Sequence, residues 1–170
     1  NADKEVAKLY KNNKRCYNRL KKCFPKYIKN FPIDKRQLLE VILLRNKNLQ
    51  KINKIVHPEV SIKMNNFIKK NKKKNFVVLD IPLLVENKLN KRNDILIFVD
   101  SKEKEITKRL KKRANYNSKI SKIFKKFQLS IEIKKKKSDF IIKNDFKKNS
   151  VKVQVKKIIK KILLNDRSNS

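Results

Sequence analysis

The chain has 170 residues, with 49 Lys+Arg against 15 Asp+Glu and a formal net charge of +34 at pH 7. At 39% hydrophobic residues it can pack one domain with a real core, but no apolar run is long enough to span a bilayer. It contains no glycine, which excludes collagen, glycine-rich linkers and any phosphate-cradling glycine loop within these residues.

The N-terminal half reads as helical. A first helix is expected from Asp3 to about Asn12, with Val6, Leu9 and Tyr10 on one face. A second runs from Arg15 to Cys23 and is broken by Phe24-Pro25. Phe31-Pro32 is a turn. Asp34 has the chemistry of an N-cap for a helix over Lys35 to Leu44, with Leu38, Val41 and Ile42 inward. Lys47 to Val56 forms the next helix. Pro58 then opens another, which runs to about Lys70 through Val60, Met64, Phe67 and Ile68.

After residue 75 the pattern changes. Phe76-Val77-Val78-Leu79, Ile95-Leu96-Ile97-Phe98-Val99 and Phe140-Ile141-Ile142 are short apolar runs, each read as a buried parallel strand. They end at Asp80, Asp100 and near Asn144. Helices fill the gaps, from Glu103 to Arg113 and through Ile120, Ile123, Phe124, Phe127 and Ile131. A last helix carries Val151, Val155, Ile158, Ile159, Ile162 and Leu163. The lysines at 134–137 read as a solvated helix face, and residues 165–170 as a disordered tail. This alternation implies an α/β fold with a parallel sheet.

The charge is almost all lysine and is spread along every segment, beside abundant Asn and Ile and no Gly or Trp. Codon bias toward A and T explains that pattern more simply than nucleic-acid binding, which favours arginine forks and clustered basic stripes. Cys16, Cys23 and the lone His57 lack metal-site spacing, and two cysteines build no disulfide framework. A reduced, cytoplasmic protein is expected. The chain opens on Asn1, its one methionine is Met64, and no signal peptide is recognisable, so it reads as cut at its N-terminus.

Ligands of open parallel sheets bind outside the carboxyl ends of the strands. The first run delivers Asp80-Ile81-Pro82-Leu83-Leu84-Val85-Glu86 to that edge. Together with Asn1-Ala2-Asp3, His57-Pro58, Arg109 to Arg113, Gln128-Leu129 and Ser138 to Asn144, in that order, this string resembles dephospho-coenzyme A kinase over essentially the whole chain. The resemblance implies a P-loop kinase-type parallel sheet with flanking helices, its N-terminal strand or strands and phosphate loop missing from this chain. It implies transfer of the ATP γ-phosphoryl to the ribose 3′-hydroxyl of dephospho-coenzyme A, the last step of coenzyme A synthesis, with this chain expected to be inactive alone. A single truncated kinase domain over 1–164 is expected, with an acceptor-substrate region near 12–74 and a lid and following helices near 102–137.

The family motif D-A-D reads Asn1-Ala2-Asp3 here. Its second acid, which orients and deprotonates the attacking hydroxyl, maps onto Asp3; the alternative is that Asp3 caps the following helix. The resemblance also implies that Arg113 is a catalytic lid arginine and that Arg109, on the same helix face, and Asn144 meet ATP. His57, Pro82, Leu84 and Lys35 then meet dephospho-coenzyme A, with structural packing or surface exposure as the competing roles, and Arg36 shares the alternatives of Lys35. Glu86 either caps the next helix or touches substrate. Mg²⁺ would accompany ATP, held mainly by a Walker A loop G-x-x-x-x-G-K-S/T that is not in these residues. No specific nucleic-acid partner and no membrane are expected. A small basic nucleic-acid-binding protein is the second reading, and another nucleoside or nucleotide kinase the third.

Overall fold

The computed structural model describes residues 1–114 and 116–168, with side chains described through 164. The chain is α/β and divides into two compact units.

The first unit comprises Asn1–Leu84 and Ser118–Lys126. Helix α1 (Ala2–Asn12) starts at Asn1, whose side-chain oxygen accepts the Lys4 N–H at 3.2 Å. Asp3 and Glu5 in its first turn suit the positive end of the helix dipole. Asn13 caps α2 (Lys14–Cys23) by accepting the Cys16 N–H at 2.8 Å, and its amide donates to Glu59 at 3.1 Å. Asp34 caps α3 (Lys35–Leu44), accepting the Arg36 N–H at 2.8 Å, as the sequence predicts. The Arg36 guanidinium beside it holds the Asp34 carboxyl below its usual range.

Helix α4 (Lys47–Lys70) corrects one expectation: it runs unbroken through Pro58. A proline inside a helix costs roughly 3 kcal/mol. Leu49, Ile52, Ile55, Val56 and Val60 form one buried stripe along α4, which packs against α1, α2 and α3. Each such side chain contributes about 1.5–3 kcal/mol on burial, which outweighs the missing bond. Leu9, Cys16, Leu20, Ile28 and Val41 complete the centre of this core. Helix α6 (Ser118–Lys126), which follows α5 (Glu103–Lys111) of the second unit in the chain, packs on α3 through a face that buries Ile120 and Ile123.

The run Phe76–Leu79 is not the strand the sequence predicts. Residues 76–80 join no ladder, and Val78 is 83% exposed. An apolar run becomes a strand only where a neighbour supplies its hydrogen-bond partners. Among the described residues none does.

The second unit comprises Val85–Asn117 and Phe127–Ser170. Strands β1 (Ile97–Asp100) and β2 (Phe140–Lys143) pair in parallel, Ile97 opposite Phe140 and Asp100 opposite Lys143. Asp139 fixes the entry to the ladder by accepting the Leu96 N–H at 2.7 Å. Helices α5 (Glu103–Lys111), α7 (Ile131–Lys136) and α8 (Lys148–Ser168) accompany them. α8 packs on β2, and the Gln154 side chain bonds both the N–H and the carbonyl of Lys143, each at 2.9 Å. α8 takes in the first residues of the expected tail; Asn169 and Ser170 lie outside the described residues.

Two expectations fail locally in this unit. The helical stripe does not run on to Ile131: Ser130 starts α7 afresh, its hydroxyl accepting the Ile133 N–H at 3.3 Å. The lysine run is not simply solvated either. Lys134 lies 3.5 Å from Glu86, with 19% of its side chain exposed, and Lys135 pairs with Asp100 at 2.6 Å.

Candidate active site

In the first unit the start of α1 is tied to Asp80, the residue before the Ile81-Pro82-Leu83-Leu84 string. Asp3 is exposed in the first turn. It is not the cap, because Asn1 fills that place. The Asn1 amide donates to the Asp80 carboxylate at 2.5 Å, and the Asp80 carbonyl accepts the Ala2 N–H at 2.9 Å. The residue that opens the Ile81-Pro82-Leu83-Leu84 string is thereby tied to the turn that carries Asp3. Pro82 is exposed and Leu84 half-buried, on a run of turns over 82–88. Leu83 adopts φ 54°, a left-handed conformation that costs a non-glycine residue about 1–2 kcal/mol.

His57 is half-buried on α4, and burial holds its pKa below the ordinary value, so its imidazole is neutral near pH 7. Lys35 is exposed as the first residue of α3, next to its cap. Burial, with the Glu59 carboxylate adding to it, raises the Cys16 thiol to about 11, which keeps it protonated.

In the second unit a different group forms. The Arg109 guanidinium lies over the Phe146 ring, 3.8 Å from its centroid. Asn144 follows β2; its N–H donates to the Asp100 carbonyl at 2.7 Å, and its side-chain oxygen accepts the Phe146 N–H at 2.9 Å. Arg109, Phe146 and Asn144 are thus one linked set. Arg109 also lines a shallow groove along α5 with Glu105, Lys108 and Lys112. Arg113 is not on the same helix face as Arg109, which corrects the sequence reading. α5 ends at Lys111, its cap is Lys112, and Arg113 lies beyond, exposed.

Glu86 neither caps the following helix nor stands open to a ligand. Its carboxylate accepts the Leu129 N–H at 3.1 Å and faces Lys134, with 10% of its side chain exposed.

The dephospho-CoA kinase family model matches residues 1–150. The chain is 36% identical to a dephospho-CoA kinase of Wolbachia pipientis wMel, over 96% of this chain and 85% of the relative. Identity to a dephospho-CoA kinase of Bartonella henselae is 33% with the same coverage. It is 32% to one of Bacillus cereus, over 94% of this chain and 82% of the relative.

The chain belongs to the dephospho-CoA kinase family.

Phe146, which the sequence reading does not name, is the ring that Arg109 covers. The available signal is Asn144-Asp145 directly after a strand, a turn dipeptide that places the next side chain at the strand's carboxyl edge. Among the described residues no three His, Cys, Asp or Glu side chains gather as a metal-binding set, and no helix is long and apolar enough to cross a membrane.

Proposed function

We propose that this dephospho-CoA kinase family chain serves transfer of the γ-phosphoryl of ATP to the ribose 3′-hydroxyl of dephospho-coenzyme A, with the phosphate loop supplied from outside these 170 residues. The observation that carries the reading is the exposed Asp3 carboxylate on a helix start pinned to Asp80. Phosphoryl transfer needs an in-line nucleophile and a place for its proton. Asp3 orients the 3′-hydroxyl and accepts that proton as the oxygen attacks. Arg113, on the segment after α5, stabilises charge on the transferring phosphoryl. Arg109 and Asn144 contact the nucleotide. His57 as a neutral imidazole, Pro82, Leu84 and Lys35 shape the acceptor site, Lys35 toward the acceptor phosphates.

The sheet is of the P-loop kinase type, and its glycine loop is not among these 170 residues, which hold no glycine. Mg²⁺ would come with ATP rather than on a carboxylate, histidine or cysteine set among the described residues, and when bound it would neutralise phosphate charge. The free thiols Cys16 and Cys23 fit a cytoplasmic protein. The +34 charge is compositional and selects no nucleic acid.

The test is a substrate panel on the protein that carries this chain, with ATP and Mg²⁺: dephospho-coenzyme A, adenosine, AMP and other nucleosides. Coenzyme A is the expected product. Preference for another nucleoside overturns the substrate assignment. Tight, sequence-selective RNA binding that falls steeply with salt would instead favour the nucleic-acid reading.

A further inference from the structure

We propose that Phe146 is a positioning residue, the ring on which Arg109 is held for the nucleotide. This rests on the reading of Arg109 as a nucleotide contact and adds a residue that the family motifs do not mark. Phe146 sits at φ 63°, left-handed backbone that disfavours any side chain and a bulky one most. The Asn144 side chain holds it there through the 2.9 Å bond to its N–H. That conformation brings the ring under the Arg109 guanidinium at 3.8 Å from the centroid. Strain of this kind persists where surrounding contacts over-determine it.

The contact has a chemical consequence. An arginine at a helix surface has several rotatable bonds, and a phosphate or base that recruits it must order them. The Phe146 ring attracts the cation, dries one guanidinium face and fixes the plane. The N–H edge and the opposite face remain available to an anion or a flat base. The linked set runs from the Asp100 carbonyl through Asn144 and Phe146 to Arg109, so the carboxyl end of the sheet sets where the guanidinium lies.

The test uses the protein that carries this chain with Arg109→Ala, Phe146→Leu, Phe146→Gly and Phe146→Tyr. ATP and dephospho-coenzyme A affinities are measured by calorimetry, and the Arg109 Nε–Hε proton is followed by NMR. The exposed cation–ring contact corresponds to about a two- to five-fold effect. Phe146→Leu and Phe146→Gly are expected to weaken ATP by that factor and to leave dephospho-coenzyme A unchanged. They should also lose the upfield ring shift of the Arg109 proton, while Phe146→Tyr keeps both parent values. Phe146→Gly frees the left-handed backbone and stays folded, which separates the effect from misfolding. If Arg109→Ala weakens ATP but Phe146→Leu and Phe146→Gly bind it as the parent does, the positioning role is wrong. If Arg109→Ala leaves ATP affinity intact, the nucleotide reading of Arg109 fails instead. Absence of a ring shift in the parent removes the contact itself and overturns the proposal.

Discussion

Asn1 and Asp80 are joined across the first unit by a 2.5 Å hydrogen bond from amide to carboxylate, and the Asp80 carbonyl takes the neighbouring Ala2 N–H at 2.9 Å. The Asn1 side-chain oxygen meanwhile caps α1 through the Lys4 N–H. One asparagine therefore serves both ends of its amide, and a carboxylate at this position would lose the donor that reaches Asp80. Asp80→Ala removes the side-chain acceptor. Turnover is expected to fall about tenfold through displacement of Asp3, with a stability loss of about 1 kcal/mol because the bond is exposed. Kinetics and urea melts on the same sample check both. Unchanged turnover would show that the tie does not place Asp3.

Asp3→Asn tests the carboxylate itself. The amide keeps size and polarity but accepts no proton, and roughly 10²–10⁴-fold of turnover is expected to go. Asp3 is exposed and is not the α1 cap, so the fold should survive. Near-parental turnover would remove Asp3 from the reaction.

Glu86 and Lys134 make a largely enclosed pair, with 10% and 19% of their side chains exposed. Removing the carboxylate strands a cation and leaves the Leu129 N–H without its acceptor. Glu86→Ala is expected to lower unfolding free energy by about 2 kcal/mol, and Glu86→Ala with Lys134→Met to recover part of it. Additive losses in the double variant would mean the two groups do not interact.

Much of the helical half was legible because its signals are local. Asp34 and the apolar spacing of α3 act within a few residues, and α3 begins and ends where the pattern places it. Pro58 misled because its local penalty is overcome by a stripe that packs on three other helices. The parallel partnership of β1 and β2 was legible from apolar runs separated by helices, whereas Phe76–Leu79 was not, since a strand exists only with its neighbour. At the candidate site the family-like strings pointed to Asp3, Arg109 and Asn144. They do not name Phe146, whose ring lies beneath Arg109, because such a contact between two elements leaves no spacing in sequence.

His57 gives the fold a pH dependence with a definite sign. Burial depresses its folded-state pKa below the ordinary 6.5, so the unfolded chain binds the proton more readily. Stability is full above the unfolded value and is lost as pH falls through 6.5 toward the folded one. Melting temperatures at pH 7.5 and 5.5 should show a larger drop for the parent than for His57→Gln. Asp34 and Glu5, both held below the usual carboxylate range, lose their contribution at lower pH and leave this window clear. Equal drops in parent and variant would assign the acid sensitivity elsewhere.

The last prediction concerns the phosphate loop. Amides that cradle a triphosphate must approach it closely, and glycine is the residue that permits this. None of the 170 residues is glycine. The described sheet is a single parallel pair, with Ile97, Val99 and Ile141 exposed on it. Parallel pairs are weaker than antiparallel ones, and two strands alone are marginal. A 170-residue polypeptide of this sequence is therefore expected to melt early and to make no coenzyme A from ATP and dephospho-coenzyme A. Joining a family-type segment of roughly 30 residues ahead of Asn1, a strand followed by G-x-x-x-x-G-K-S/T, should raise the melting temperature and confer turnover in the same protein. Replacing the loop lysine in that fusion should abolish turnover and keep the gain in stability, which separates the phosphate cradle from the added strand. Turnover by the 170 residues alone would show that another set of groups holds the triphosphate.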